Sequence, residues 1–102
     1  MIKYHSVRTY SQLCGRFFAS KLECKRAEEL WLLQLAGEIS GLEFQRRFVL
    51  STNPRVSISL DFCYVENGKT ILEDSKGFLT RDFRTKMAWL KNVYGLDVRL
   101  SR

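Results

Sequence analysis

The sequence predicts an α/β fold of mixed α+β type, with a central mixed β-sheet flanked by helices in the order αβββαβ. Three observations support this prediction. A segment with helical periodicity precedes three strand-like segments, an Asn-Gly pair joins the last two of these, and an amphipathic helix is followed by a short final strand. Helices and strands arranged around one hairpin can share a layered core.

Length and composition indicate one ordered domain over residues 1–102. Hydrophobic residues make up 45% of the chain and aromatic residues 13%, which argues against disorder. The formal net charge of +6 favours a polyanionic partner such as DNA. Cys14, Cys24 and Cys63 lack CxxC spacing, so they disfavour zinc and fit a reducing compartment. No signal peptide or membrane-spanning run is recognised, so we expect a cytoplasmic protein without membrane association.

The first half of the chain is expected to form a helix and two strands. Residues 1–17 form an N-terminal arm or an extra strand, and a helix then runs from about Ser20 to Ala36, with Gly37 as its left-handed stop. Strands follow over 41–50 and 55–66, separated by a turn. In the second strand, alternation places five apolar side chains on one face: Val56, Ile58, Leu60, Phe62 and Tyr64.

The second half is expected to form a hairpin, a helix and a strand. Asn67-Gly68 is a strong signal for a two-residue hairpin turn, so 69–77 is the return strand. A helix over 80–94 begins at Thr80 as N-cap, and a strand over 95–100 follows. The inward stripe of that helix consists of Phe83, Met87, Leu90 and Tyr94.

The hairpin register brings two aspartates together. If Asn67 and Gly68 are the central turn residues, Asp61 lies directly opposite Asp74, with Cβ atoms about 4.5–5.5 Å apart. Lys76 points to the same face as Asp74. Two carboxylates held this close repel each other unless a cation lies between them, and Mg²⁺ prefers carboxylate oxygens. The alternative is an exposed salt bridge between Asp61 and Lys76 on a solvated sheet face.

Glu23 is the candidate third carboxylate, and it has two possible roles. It lies within the apolar stripe of the first helix, where a carboxylate is unusual unless it is paired or binds something. However, Ser20 and Glu23 also match the capping box that stabilises helix N-termini. One residue can serve both roles.

This constellation resembles the PD-(D/E)XK nuclease superfamily. The residues that carry the resemblance are a helix glutamate, Asp61, and the triplet Asp74-Ser75-Lys76 in an αβββαβ order; Leu60 replaces the usual proline before Asp61. A closer resemblance extends over nearly the whole chain, to small phage and prophage nucleases similar to phage endonuclease I of the Holliday-junction resolvase type. It rests on the segments KYH, FASKLE, LQLAGEI, LEFQRRF, DF (61–62), EDSKG and DFRTK. The resemblance implies a restriction-endonuclease-like core.

The resemblance also implies a role for each matching residue. Asp61, Asp74 and the backbone carbonyl of Ser75 would bind the catalytic Mg²⁺ or Mn²⁺, and Glu23 would help to hold a second metal or its waters. Lys76 would activate or position the attacking water. Gln45 matches a recurring glutamine of unassigned role.

Basic residues on both predicted helices are candidates for DNA binding. On the second helix Arg81, Arg84 and Lys91 form a stripe opposite the apolar face, and Lys86 follows the D-x-K strand closely enough to approach the site. Lys25 and Arg26 lie near Glu23 on the first helix. The alternative in each case is a solvated helix face. His5 is a less favoured candidate for a general base.

The carboxylate constellation together with the resemblance therefore implies a Mg²⁺-dependent DNA endonuclease of phage or mobile-element origin, working in a bacterial host cell. A monomer with one site would nick one strand. The alternatives are a homodimeric resolvase that cuts branched DNA and a non-catalytic DNA-binding module on a nuclease scaffold. A chain of 102 residues has little room for a recognition domain, so a recruiting protein is a possible partner.

Overall fold

The fold is that of a computed structural model, which describes residues 7–76 and 79–101. After a short N-terminal hairpin, the elements follow the predicted αβββαβ order. They are β1 (Thr9–Ser11), β2 (Arg16–Phe18), α1 (Lys21–Leu35), β3 (Ser40–Thr52), β4 (Arg55–Glu66), β5 (Lys69–Ser75), α2 (Arg81–Tyr94) and β6 (Val98–Ser101).

The main sheet has four strands in the order β3-β4-β5-β6. The first two pairings are antiparallel and the β5–β6 pairing is parallel, which confirms the predicted mixed sheet. Strands β1 and β2 form a separate antiparallel pair, so the N-terminal region adds a hairpin beside the sheet. His5, the candidate general base, lies outside the described residues.

Both helices begin and end at the residues that the sequence indicates. The Ser20 hydroxyl accepts a hydrogen bond from the Glu23 amide at 3.1 Å, and Thr80 caps α2 through the Phe83 amide at 3.1 Å. Gly95 takes a left-handed conformation with φ of 72° at the end of α2, where a side chain would be strained. No helix within 7–76 and 79–101 is long and apolar enough to cross a membrane.

The β4–β5 hairpin has the predicted turn and register. Asn67 and Gly68 both have positive φ, at 51° and 77°, as a type I′ turn requires. The pairing runs regularly from Glu66–Lys69 to Phe62–Glu73. This ladder ends one pair before Asp61 and Asp74, which meet through side-chain hydrogen bonds instead.

The buried side chains form two clusters on opposite faces of the sheet. On β5, Ile71 packs against the α1 cluster, whereas its neighbour Leu72 belongs to the α2 cluster. Successive strand residues point to opposite faces, so the two helices cover opposite faces. The α1 cluster consists of Phe18, Cys24, Ala27, Leu30, Ile39, Phe62 and Tyr64, and the α2 cluster of Leu50, Ile58, Leu60, Cys63, Leu72 and Leu90.

The prediction that the five apolar residues of β4 share one face is wrong. Leu60 belongs to the α2 cluster and Phe62 to the α1 cluster, so the alternation is interrupted at Asp61. The pairs Phe44–Phe62 and Arg46–Leu60 place Gln45 opposite Asp61, and Gln45 has a left-handed φ of 56°. A left-handed residue breaks the regular pleat of a strand, and sequence alternation does not reveal it.

The inward face of α2 departs from prediction at one position. Leu90 is buried, and Phe83 and Met87 pack against the same cluster, as expected. Tyr94, however, is exposed. Its ring contacts that of Phe48 edge-on at 5.4 Å, and its hydroxyl donates to the Val49 carbonyl at 2.7 Å. Tyr94 therefore packs at the edge of the core and links α2 to β3.

Candidate functional site

Asp61 and Asp74 are locked together where the β4–β5 ladder ends. The Asp61 amide donates to Asp74 Oδ1 at 2.9 Å, and the Ser75 amide donates to Asp61 Oδ2 at 2.9 Å. Each aspartate therefore uses one carboxylate oxygen to replace a backbone acceptor of the neighbouring strand. These two hydrogen bonds keep the carboxylates of Asp61 and Asp74 close together, as the hairpin register predicts.

The second oxygen of Asp74 has no hydrogen-bond donor. Asp74 is only 1% exposed, and its Oδ2 lies 3.1 Å from Lys76 Nζ as an ion pair without hydrogen-bond geometry. The lysine partner is thus the buried Asp74, and the alternative of an exposed Asp61–Lys76 bridge is wrong. Lys76 Nζ also lies 4.4 Å from the centre of the Phe83 ring, which fixes its direction.

Gln45 joins Glu23 to Asp61. Its Nε2 donates to Glu23 Oε2 at 3.0 Å and to Asp61 Oδ1 at 3.2 Å. Glu23 is 6% exposed. Its backbone amide donates to the Ser20 hydroxyl, which is one of the two hydrogen bonds of the predicted capping box, and its carboxylate belongs to the cluster. The sequence contains no signal for the bridging role, because the left-handed conformation that aims Gln45 is set by the break in the strand.

Burial raises the pKa values of all three carboxyl groups, and repulsion from other cluster members adds to the shifts of Glu23 and Asp74. Desolvation, followed by repulsion from Asp61 and Asp74, raises the pKa of Glu23 to about 7. Desolvation and the charge of Asp61 raise the pKa of Asp74 to about 6, although Lys76 opposes the shift. Burial also raises the pKa of Asp61, against the hydrogen bond from Ser75. The surroundings of the cluster therefore disfavour the ionised form of all three carboxyl groups.

The oxygen ligands of the cluster are of the kind that a hard divalent cation prefers, but they do not form a complete set of metal ligands among the described residues. Among residues 7–76 and 79–101, no group of three or more His, Cys, Asp or Glu side chains is arranged to hold a metal ion. Mg²⁺ does not require such a set, since it commonly binds one or two carboxylates and keeps several waters. The donor-free Oδ2 of Asp74 beside Asp61 matches that smaller requirement.

Strand β6 supports the D-x-K segment from its other side. The Ser75 and Ser101 hydroxyls lie 3.0 Å apart, and the Lys76 amide donates to the Ser101 carbonyl at 3.1 Å. These contacts fix the backbone on both sides of Ser75. Metal binding by the Ser75 carbonyl stays a prediction.

Two open clefts border the carboxylate cluster. The first, of about 480 Å³, is lined by Glu23 and Gln45 together with the hairpin residues Arg8, Arg16, Phe17 and Phe18. The second, of about 350 Å³, is lined by Arg47, Lys76 and Lys86 with the start of α2. Arg47 and Lys86 therefore lie beside the catalytic lysine candidate.

The other predicted DNA-binding residues lie apart from these clefts. Arg81 and Arg84 are exposed on α2, and Lys91 is paired with Asp97 at 2.8 Å. Lys25 is exposed on α1. Lys86, in the second cleft, has Asp82 at 3.5 Å.

Arg26 has a structural partner, which the DNA-binding prediction did not include. Its guanidinium donates to Glu73 at 2.6 and 3.1 Å, and Glu73 also accepts from the Tyr64 hydroxyl at 2.6 Å. Burial alone would raise the pKa of Glu73, but the hydrogen bonds from Arg26 and Tyr64 lower it. Burial and the contact with Glu73 raise the pKa of Tyr64 to about 12. Arg26 therefore stabilises a buried carboxylate.

Comparison with known proteins identifies a family without an assigned activity. A family model described as "Protein of unknown function (DUF1064)" matches residues 1–101. No curated protein and no solved structure matches the chain.

Proposed function

The chain belongs to this family of proteins of unknown function, and from its own carboxylate cluster we propose that it is a metal-dependent endonuclease that hydrolyses DNA phosphodiester bonds. The observation that carries the proposal is the grouping of Glu23, Asp61 and the buried Asp74 around one ammonium group: among the described residues, the ion-pair partner of Asp74 Oδ2 is Lys76, at 3.1 Å. Several partly buried carboxylates beside a single ammonium are costly for a fold when they are ionised. Binding of a divalent cation would compensate for that cost.

Asp61 and Asp74 would hold Mg²⁺ or Mn²⁺, and Glu23 would bind its waters or a second ion. Such an ion polarises a phosphate and lowers the pKa of a bound water. The residues of the chain have their own tasks in the reaction. Lys76 places a positive charge where the phosphate gains negative charge, and it orients the attacking water. Gln45 keeps Glu23 and Asp61 at a fixed separation.

The second cleft would guide the DNA backbone into the site. Arg47 and Lys86 line it beside Lys76, so two further positive charges flank the reacting position. Phosphate contacts of this kind position DNA without reading its sequence. Weaker contacts with the DNA backbone would come from the other predicted basic residues, Lys25, Arg81, Arg84 and Lys91. Arg26 is not part of this DNA-binding surface, because its guanidinium is paired with Glu73.

A second candidate function is a DNA-binding module without catalysis. It is favoured by the lack, among the described side chains, of a group of three or more metal ligands. The two candidates differ in their response to metal, because a module needs none. In either case we propose the cytoplasm of a bacterial host as the location, which the free thiols of Cys14, Cys24 and Cys63 support.

The first experiment is cleavage of supercoiled plasmid in Mg²⁺ by the wild type and by Lys76→Met. The matched control is Lys69→Met, which removes an equal charge from the exposed start of β5. We expect the wild type and the control to cut and Lys76→Met to fail. Equal cutting by Lys76→Met would reject the site.

The form of the product separates the versions of the proposal. Open circle indicates a nick at one site, whereas linear product indicates two sites acting together, as in a homodimeric resolvase. Metal-independent binding of the plasmid without cleavage, also on a four-way junction, would favour the non-catalytic module.

A further inference from the structure

The β1–β2 hairpin builds one wall of the first cleft from alternating basic and aromatic side chains. Arg8, Arg16 and Phe17 form this wall, and Glu23 and Gln45 form the opposite one. No carboxylate within 7–76 and 79–101 forms a salt bridge with Arg8 or Arg16. The cleft therefore presents two arginines without a salt bridge among the described residues, and both guanidinium groups lie over aromatic rings.

The hairpin is fixed to the body of the fold. Ser11 is fully buried and donates to Glu28 of α1 at 2.6 Å. Phe18 is buried in the α1 cluster, where its ring contacts that of Phe44. Its neighbour Phe17 points the other way and is 46% exposed. The wall of the cleft is therefore rigid, and its aromatic surface is held outward.

The outward aromatic surface already contains a stack. The Arg8 guanidinium lies 4.0 Å from the centre of the Phe17 ring, and Tyr10 meets that ring edge-on at 4.9 Å. Unpaired nucleic-acid bases stack on aromatic rings and on arginine guanidinium planes. Exposed aromatic surface of this size is otherwise unfavourable beside water, so a planar ligand would stabilise it.

We propose that this cleft binds an unpaired nucleotide of a DNA strand, its base extending the Phe17–Arg8 stack and its phosphate held by Arg8 and Arg16. This inference rests on the proposed function and gives its substrate class: DNA with single-stranded or unpaired positions beside the cleaved bond. The cleft volume of about 480 Å³ lies within the range of small-ligand sites. Bases paired within a duplex are stacked on their neighbours, so they cannot supply a free face.

The test is binding of labelled DNA by fluorescence anisotropy in EDTA, where cleavage cannot consume the probe. The probes are a single strand of about 12 nucleotides, an abasic strand of equal length, and the matching duplex. We expect the wild type to bind the single strand about tenfold more tightly than the abasic strand. Phe17→Leu should abolish this preference, and Phe17→Trp should keep it.

Salt dependence separates the base contact from the phosphate contact. Arg8→Ala should reduce the slope of log affinity against log salt by about 0.7, whereas Phe17→Leu should lower affinity at unchanged slope. Leu13→Ala at the hairpin tip and Arg55→Ala at the β3–β4 turn are the matched controls, because both side chains are exposed and neither lines the cleft. Melting temperatures will show that each variant is folded.

Three results would overturn the proposal: equal affinity for abasic and normal strands, tighter binding of the duplex, or retention of the preference by Phe17→Leu. Failure here is distinct from failure of the proposed function. The binding assay contains no metal, whereas cleavage is read from Lys76→Met on plasmid. A nuclease that does not bind an unpaired base would cut the plasmid in the cleavage assay but show no preference for the normal strand in the binding assay.

Discussion

Arg26 and Glu73 form a bidentate ion pair that ties α1 to β5 at the back of the carboxylate cluster. Arg26 follows Glu23 by three residues on α1, and Glu73 directly precedes Asp74 on β5. The pair therefore fixes the relative positions of two elements that carry cluster carboxylates. It also explains how a fully buried glutamate stays ionised.

Removal of Arg26 should strongly destabilise the fold. Arg26→Met leaves Glu73 charged and buried without its main partner, so we expect a loss of about 3 kcal/mol in the free energy of unfolding. The double variant Arg26→Met/Glu73→Leu should recover most of this loss, because no unpaired charge remains. Urea unfolding gives both values. Arg46→Met is the matched control, since its exposed pair with Glu43 should contribute below about 1 kcal/mol.

Neutralisation of Asp74 should stabilise the protein while it abolishes cleavage. Asp74→Asn keeps the oxygen that accepts from the Asp61 amide and removes a buried charge that burial and Asp61 disfavour. In EDTA at about pH 8 we expect a gain on the order of 1–3 kcal/mol in unfolding free energy. Urea unfolding and plasmid cleavage measure the two effects. A variant that loses both stability and activity would indicate a purely structural Asp74.

Without metal, stability should fall as pH rises from about 4 to about 7. The folded-state pKa values of Glu23 and Asp74, about 7 and about 6, lie above their ordinary values, so the native state binds more protons than the unfolded state in this window. The stabilisation from these groups is therefore present at low pH and lost as pH rises. Unfolding in EDTA across the window measures the slope. Glu23→Gln/Asp74→Asn should flatten it, and an unchanged slope would contradict the shifts.

Divalent metal should reverse this loss. Mg²⁺ that binds only the folded state raises the melting temperature with the logarithm of its concentration above the Kd, and it should do so most at about pH 8, where the carboxyl groups are ionised. Differential scanning fluorimetry with and without Mg²⁺ measures the shift. Asp74→Asn should lose it, whereas Asp97→Asn, which removes an exposed carboxylate paired with Lys91, should retain it. A shift that survives in Asp74→Asn would place the metal elsewhere.

Gln45 should affect stability and activity through separate properties. Gln45→Gly relieves the strain of the left-handed backbone, whereas Gln45→Ala retains it, so Gly should be more stable than Ala by about 1 kcal/mol. Both variants lose the bridge between Glu23 and Asp61 and should cut plasmid more slowly. Full activity in Gln45→Gly would show that the bridge is dispensable.

The sequence predicted the parts of the fold that are governed by local rules. Helix caps depend on neighbouring residues, as at Ser20 and Thr80. The hairpin turn at Asn67-Gly68 does so too, and it sets the register that brings Asp61 near Asp74. The break in alternation at Asp61 could not be predicted, because it depends on a left-handed residue in the adjacent strand. For the same reason, the bridging role of Gln45 could not be predicted.

The candidate site was predictable in its carboxylates and in Lys76, but its other cationic residues were not predictable. The charge pattern marks Arg26 and Arg84 alike as surface candidates, yet only tertiary packing pairs Arg26 with Glu73. The hairpin wall with Arg8 and Phe17 likewise depends on how β1 and β2 dock against α1. Long flexible cations reach partners that are far apart in sequence, so linear spacing does not identify them.

Because the alternation of β4 is interrupted at Asp61, this strand contributes large buried side chains to both the α1 cluster and the α2 cluster. Ile58 and Leu60 lie under α2, and Phe62 and Tyr64 lie under α1. Neither half of the core can melt without removing a strand from the other, so the two should unfold as one cooperative unit. The backbone amides of β4 should then exchange with solvent only through global opening, and the carboxylate cluster sits at the point where the two halves are joined.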